Sequence, residues 1–187
     1  MSWSGKSPRP SEVFITAMLV SLSIALHFFK IPYPLMTALK FDLVGIPLVI
    51  IAYLSLRYFF VSLPVVWLGI TALSQDWIGA SMKILAEATT VLPLALAISG
   101  RIEKKIYVGI GIVASIVLRT VTMMIANYFV LPRWALLVGW ASTLEEGYKI
   151  VFVTMPYIVS FNVIMAALVS LVGYLSIKIL RKAGFMP

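Results

Sequence analysis

Ile106-Tyr-Val-Gly-Ile-Gly-Ile-Val-Ala-Ser-Ile-Val-Leu-Arg119-Thr-Val-Thr-Met-Met-Ile-Ala-Asn127-Tyr-Phe-Val-Leu-Pro132 is the stretch that decides how the chain is read. The 26 residues from Ile106 to Leu131 contain one charged side chain, Arg119. About 20 apolar residues span the hydrocarbon core of a bilayer. The stretch is therefore expected to cross a membrane as a helix and to stop at Pro132, which lacks the N–H that helix continuation needs. Its polar groups are costly in lipid and must face protein or water. Asn127 lies about one turn from the outer end. A second amide, Asn162, lies inside the last apolar segment, in Pro156-Tyr157-Ile158-Val159-Ser160-Phe161-Asn162. Two arrangements suit such a pair. They face one another across a polar pocket, or they make helix–helix hydrogen bonds.

The whole composition agrees with a lipid solvent. The chain has 187 residues, 61% hydrophobic and 12% charged, with a mean hydropathy of +1.04. A soluble domain is roughly half apolar and a quarter charged. The fold class expected is an all-α integral membrane bundle. There are no cysteines, hence no disulfide framework and no thiolate metal site. The net charge of +8 does not point to nucleic acid, because the basic residues sit at segment ends, where they set topology. Lys6 and Arg9 before Val13–Phe29 imitate a secretory signal, yet no small-x-small cleavage site follows before Pro32. That run is read as a retained first helix.

Six transmembrane helices are expected, within one membrane domain at 12–182 between a cytoplasmic tail at 1–11 and a C-terminal tail at 183–187. The segments are Glu12–Lys30, 43–57, 59–74, Gly79–Ser99, Ile106–Leu131 and Ile150–Leu180. The apolar run Leu43–Ser74 is too long for one span, so a tight joint is placed near Arg57. Two long outer loops result, 31–42 between helices 1 and 2, and 132–149 between helices 5 and 6. Pro32 and Pro34 bar regular helix from the first, and its apolar character predicts that it packs on the bundle. Nine Lys and Arg fall on one side and five on the other, which predicts a multi-pass cell-membrane protein with both termini cytoplasmic.

Other polar residues leave alternatives open. Lys83 and Glu87 share a helix face; they form an internal salt bridge, or Glu87 faces the pocket. Arg119 reaches the pocket floor or pairs with Glu87. His27, the only histidine, reads as an interface residue. Ala17, Ser21 and Ala25 recur every four residues and give the first helix a smooth face for close helix approach. No H-E-x-x-H, G-x-S-x-G or metal-ligand cluster occurs. Gly5-Lys6-Ser7 echoes the end of a P-loop, but no earlier glycine or strand precedes it. The chain is expected not to be an enzyme, and any ATP hydrolysis would come from other chains.

Four stretches resemble the S components of energy-coupling factor (ECF) vitamin transporters, most closely the riboflavin-specific branch. They are Ala17-x-x-x-Ser21-x-x-x-Ala25, Leu39-Lys40-Phe41-Asp42-x-x-x-Ile46-Pro47, Met123 to Pro132, and Pro156 to Tyr174. The resemblance implies a high-affinity vitamin-binding membrane subunit of an importer, with riboflavin as transported ligand and no cofactor or metal. The ligand would lie near the outer face between helices 4 to 6, under loop 31–42. Asn127 and Asn162 would hydrogen-bond it, and Phe41 and Met123 would pack on it. Leu39, Lys40, Asp42, Lys83, Glu87 and Met165 complete the expected binding set. Ala17, Ser21 and Ala25 would meet a membrane coupling protein, itself carrying two ABC-type ATPases. Two departures stand out. Met165 occupies a position where the riboflavin branch commonly has lysine, and Phe59-Phe60-Val61-Ser62 replaces a Gly-Pro turn. Other readings are an S component for a different small vitamin-like molecule, or a structural membrane subunit.

Overall fold

The computed structural model describes residues 10–186. The readings placed on Lys6, Arg9, Gly5-Lys6-Ser7 and most of the expected tail 1–11 lie outside these residues. Six helices and one hairpin follow in order: α1 Pro10–Leu26, β1 Ile31–Tyr33, β2 Met36–Phe41, α2 Gly45–Leu54, α3 Leu56–Ser74, α4 Trp77–Ile98, α5 Lys105–Leu137 and α6 Leu144–Lys182. Four of them, α3 to α6, are long and apolar enough to cross a membrane, while α1 and α2 are shorter apolar helices. The bundle is built for lipid. On α5, Ile106, Ile110, Val113 and Val117 point outward and are each more than half exposed. The same helix turns Ser115 and Arg119 inward, where they are buried. This polarity is the reverse of a soluble helix, whose apolar stripe faces the core.

The tight joint in 43–74 is real and falls at Ser55, two residues before Arg57. Ser55 is extended (φ −163°, ψ 125°), and its N–H closes α2 on Ile51 O. At ten residues, α2 is only about 15 Å long. It is the most enclosed element, with Leu48, Val49 and Ile51 fully buried among α1, α3, α4 and α6. Close approach requires glycine at two points around it. A Cβ at Gly45 would collide with Glu87 Oε2 and Val169, and one at Gly173 would sit 2.8 Å from Val49 Cβ.

Both connections expected to be long outer loops differ from expectation. Residues 31–41 are an antiparallel hairpin, with Ile31 opposite Phe41 and Pro32 opposite Lys40. Pro32 is tolerated because a two-stranded ribbon has only edge strands. The hairpin does pack on the bundle. Tyr33 is buried, its hydroxyl is 2.8 Å from Ser160 Oγ, and its ring meets Phe41 and Phe161 at centroid distances of 5.4 and 5.6 Å. The second connection is short. Pro132 lies inside α5, which runs on to Leu137. The stop is Gly139 at φ +76°. Its N–H bonds Leu136 O, and Trp140 N–H bonds Ala135 O at 2.8 Å, the paired bonds of a Schellman cap. Thr143 Oγ1 then accepts from Glu146 N, while Glu146 Oε2 accepts from Ser142 N, and α6 begins. The expected loop 132–149 is thus the turn 138–143.

Candidate ligand cavity

The hairpin, the start of α4, the part of α5 from Arg119 to Trp134, Trp140 and the middle of α6 line a cavity of about 300 Å³. That is the lower end of the roughly 300–1,000 Å³ typical of small-molecule sites. The cavity brings together seven of the ten residues expected to bind: Leu39, Lys40, Lys83, Met123, Asn127, Asn162 and Met165. Phe41, Asp42 and Glu87 do not line it. Each stands one layer behind.

Phe41 stacks against Phe161 at 5.2 Å, tilted by 35°, so its ring anchors the hairpin rather than facing the cavity. Asp42 is buried. One of its oxygens accepts from Val44 N at 3.2 Å in the turn before α2, and the other pairs with Lys83. The hairpin is thereby bridged to α4 at the cavity mouth. Neither alternative open for Lys83 and Glu87 is found: they do not pair with each other, and Glu87 does not line the cavity. Glu87 is fully buried and pairs across to Arg119, Nη1 to Oε1 at 3.3 Å. Sequence spacing put Lys83 and Glu87 on one face, but each pairs with a residue of another element.

Arg119 resolves its two alternatives by doing both: it pairs with Glu87 and lines the cavity. Its Nε donates to Asn162 Oδ1 at 3.0 Å, and Nη1 also donates to Thr90 Oγ1 at 2.9 Å. Thr90 Oγ1 in turn donates to Ala86 O, and Ser115 Oγ donates to Thr90 O at 2.6 Å. Glu87, Thr90, Ser115, Arg119 and Asn162 thus link α4, α5 and α6 in one hydrogen-bonded network, although Glu87 Oε2 is buried in it with no hydrogen-bond partner among the described residues. Asn162 is buried, and its Nδ2 donates to Ile158 O at 2.8 Å. Asn127 Nδ2 donates to Met123 O at 2.8 Å. The two amides do line the same cavity, with Arg119 held by Asn162 at its floor.

Trp134 and Trp140 also line the cavity, in a T-shaped pair 4.8 Å apart. The sequence reading missed them because both fell in what looked like a loop. Gly139 was the available signal: a glycine stop there leaves Trp134 on α5 and folds Trp140 back. Ala17, Ser21 and Ala25 are all exposed, so the smooth face of α1 has no partner within the described residues. His27 is buried, with neither ring nitrogen hydrogen-bonded among the described residues. Among those residues no group of three or more His, Cys, Asp or Glu is placed to hold a metal.

No family model and no curated protein matches the sequence. A solved structure does: the S component of a bacterial ECF transporter superposes with a TM-score of 0.74 at 22% identity, over 92% of this chain and 96% of that one. At that identity the likeness speaks for the fold. The chain is a multi-pass membrane protein in its helices and shares its architecture with that S component.

Proposed function

We propose that the chain is the substrate-binding S component of an ECF-type importer and that the cavity under the hairpin binds riboflavin. The observation that carries this reading is a roofed cavity between hairpin, α4, α5 and α6, lined by two amides, two tryptophans and several methionines, in a chain with the fold of an ECF S component. A planar heterocycle suits such walls: aromatic and thioether groups pack on its faces and amides bond its edge. In this reading all six helices lie in the membrane, both termini are cytoplasmic and the cavity opens outward. The exposed small-residue face Ala17, Ser21 and Ala25 meets a membrane coupling protein, and two ABC-type ATPases supply the energy.

The test is direct. Purified protein should quench riboflavin fluorescence at one flavin per chain. Folded protein that leaves flavin fluorescence unchanged would reject riboflavin. Met165 favours a second reading, an S component for another vitamin-like molecule. Met165 lines the cavity and is 1% exposed, so α6 offers no ammonium there. A thermal-shift screen of small vitamins separates the two readings, since only the transported ligand should raise the unfolding temperature strongly.

A further inference from the structure

The floor of the cavity is a fixed hydrogen-bond donor. A guanidinium has five N–H groups. Arg119 spends three of them inside the protein, one from Nε on Asn162 and two from Nη1 on Glu87 and Thr90. Nη2 has no hydrogen-bond partner among the described residues, and Arg119 lines the cavity. Asn162 offsets this only in part. Its Oδ1 accepts from Arg119 and keeps a second lone pair, while Nδ2 keeps one N–H beyond that given to Ile158 O. Donors therefore outnumber acceptors at the floor, with Nη2 and Nδ2 N–H groups free among the described residues against a single lone pair of Asn162 Oδ1.

Charge narrows the chemistry further. Glu87 balances Arg119, and Asp42 balances Lys83. The floor is therefore donor-rich but close to neutral, and calls for an acceptor rather than for a full negative charge. Lys40 and Asp76 also line the space, so the lining carries no strong excess of either sign. Glu87 and Thr90 act as positioning residues. They fix the plane of the guanidinium, so that little side-chain entropy is lost when a ligand arrives.

We propose that Arg119 is a specificity-determining residue of the cavity, and that it selects planar heterocycles whose inward edge carries carbonyl acceptors, such as a ring dione, against the same ring bearing amino donors. This rests on the small-molecule reading of the cavity and deepens it. A diamino edge would leave two N–H groups of Nη2 facing two further donors, and a buried donor without an acceptor is expensive.

The experiment uses the full chain in detergent and three probes: riboflavin, pteridine-2,4-dione and pteridine-2,4-diamine. Binding is read by flavin quenching and by thermal shift. Wild type should bind the dione at least about tenfold more tightly than the diamine. Arg119→Lys should narrow that preference, and the double variant Glu87→Gln/Arg119→Gln, which leaves no buried charge unpaired, should abolish it. The ratio of the two pteridine affinities is the deciding number, because loosened packing alone weakens both probes together. If riboflavin binds but the ratio and the flavin affinity are the same in wild type and both variants, the assignment of Arg119 is overturned and the flavin reading stands. If riboflavin fails to bind while the dione binds in an Arg119-dependent way, the assignment stands and riboflavin is rejected. If no probe binds the folded protein, both fall.

Discussion

Arg119 Nη1 lies 3.3 Å from Glu87 Oε1, with both side chains buried between α4, α5 and α6. The pair joins the helices that wall the cavity, and Glu87 is fully buried, so its charge has no water to fall back on. Removing one partner leaves the other uncompensated, at a cost of about 3–5 kcal/mol. Arg119→Met and Glu87→Met should each lower stability by that amount in denaturant unfolding of the detergent-solubilised protein. The double variant should cost less than either single change, since a buried ion pair replaced by apolar groups is often nearly neutral. Single-variant losses that simply add would show that the two residues do not act as a pair.

The bridge from Asp42 to Lys83 ties the hairpin to α4. Asp42→Asn keeps an oxygen to accept from Val44 N and removes the charge. The hairpin is otherwise held by the Tyr33 hydroxyl and the Tyr33–Phe41–Phe161 rings, so it should loosen locally rather than detach. Backbone amides of residues 36–41 should exchange about tenfold faster in the variant, with α5 and α6 unchanged. Unchanged exchange at 36–41 would mean that the aromatic contacts alone hold the hairpin.

Much of this arrangement was legible in residue order, and the failures have physical causes. The helical bundle and the polar spot shared by Asn127 and Asn162 follow from hydropathy and from the rarity of amides in lipid. Pro132 misled because a missing N–H was taken as a stop. Inside a packed bundle one lost bond is tolerated, and Gly139 does the stopping because it alone can reach φ +76° there without strain. Thr143-x-x-Glu146 is a capping-box spacing that marks the true start of α6. The partners of Lys83, Glu87 and Arg119 were not readable from spacing. Asp42 and Arg119 reach them from 41 and 32 residues away along the chain.

His27 follows the last residue of α1, outside the helix. Burial, then the nearby Lys30 and Lys83, hold its pKa down at about 4, against a smaller opposing pull from Asp42. The folded chain therefore keeps His27 neutral where the unfolded chain, at its ordinary value of 6.5, takes up a proton. The stability this group contributes is complete above pH 6.5 and is lost as pH falls toward 4. Unfolding temperature should drop between those values in wild type and drop less in His27→Gln. Identical pH profiles for the two proteins would remove His27 as the cause.

Asn127 is half-buried and lines the cavity from α5. Its one internal bond, from Nδ2 to Met123 O four residues back, ties it only to its own helix. Unlike Asn162, it is not part of the Arg119 network, and its Oδ1 has no hydrogen-bond partner among the described residues. That oxygen gives the cavity wall an acceptor opposite a donor-rich floor, which suits a heterocycle carrying both carbonyl and N–H groups. Asn127→Ala should therefore separate binding from folding. Stability should change by no more than about 1 kcal/mol, because the lost bond is local and partly wetted. Flavin affinity should fall by about 1–3 kcal/mol, the worth of one or two enclosed hydrogen bonds. Asn127→Asp keeps the acceptor and loses the donor, so it should retain part of the affinity. Flavin titration of the three proteins at one pH decides the matter: equal affinities would place Asn127 outside the ligand's reach.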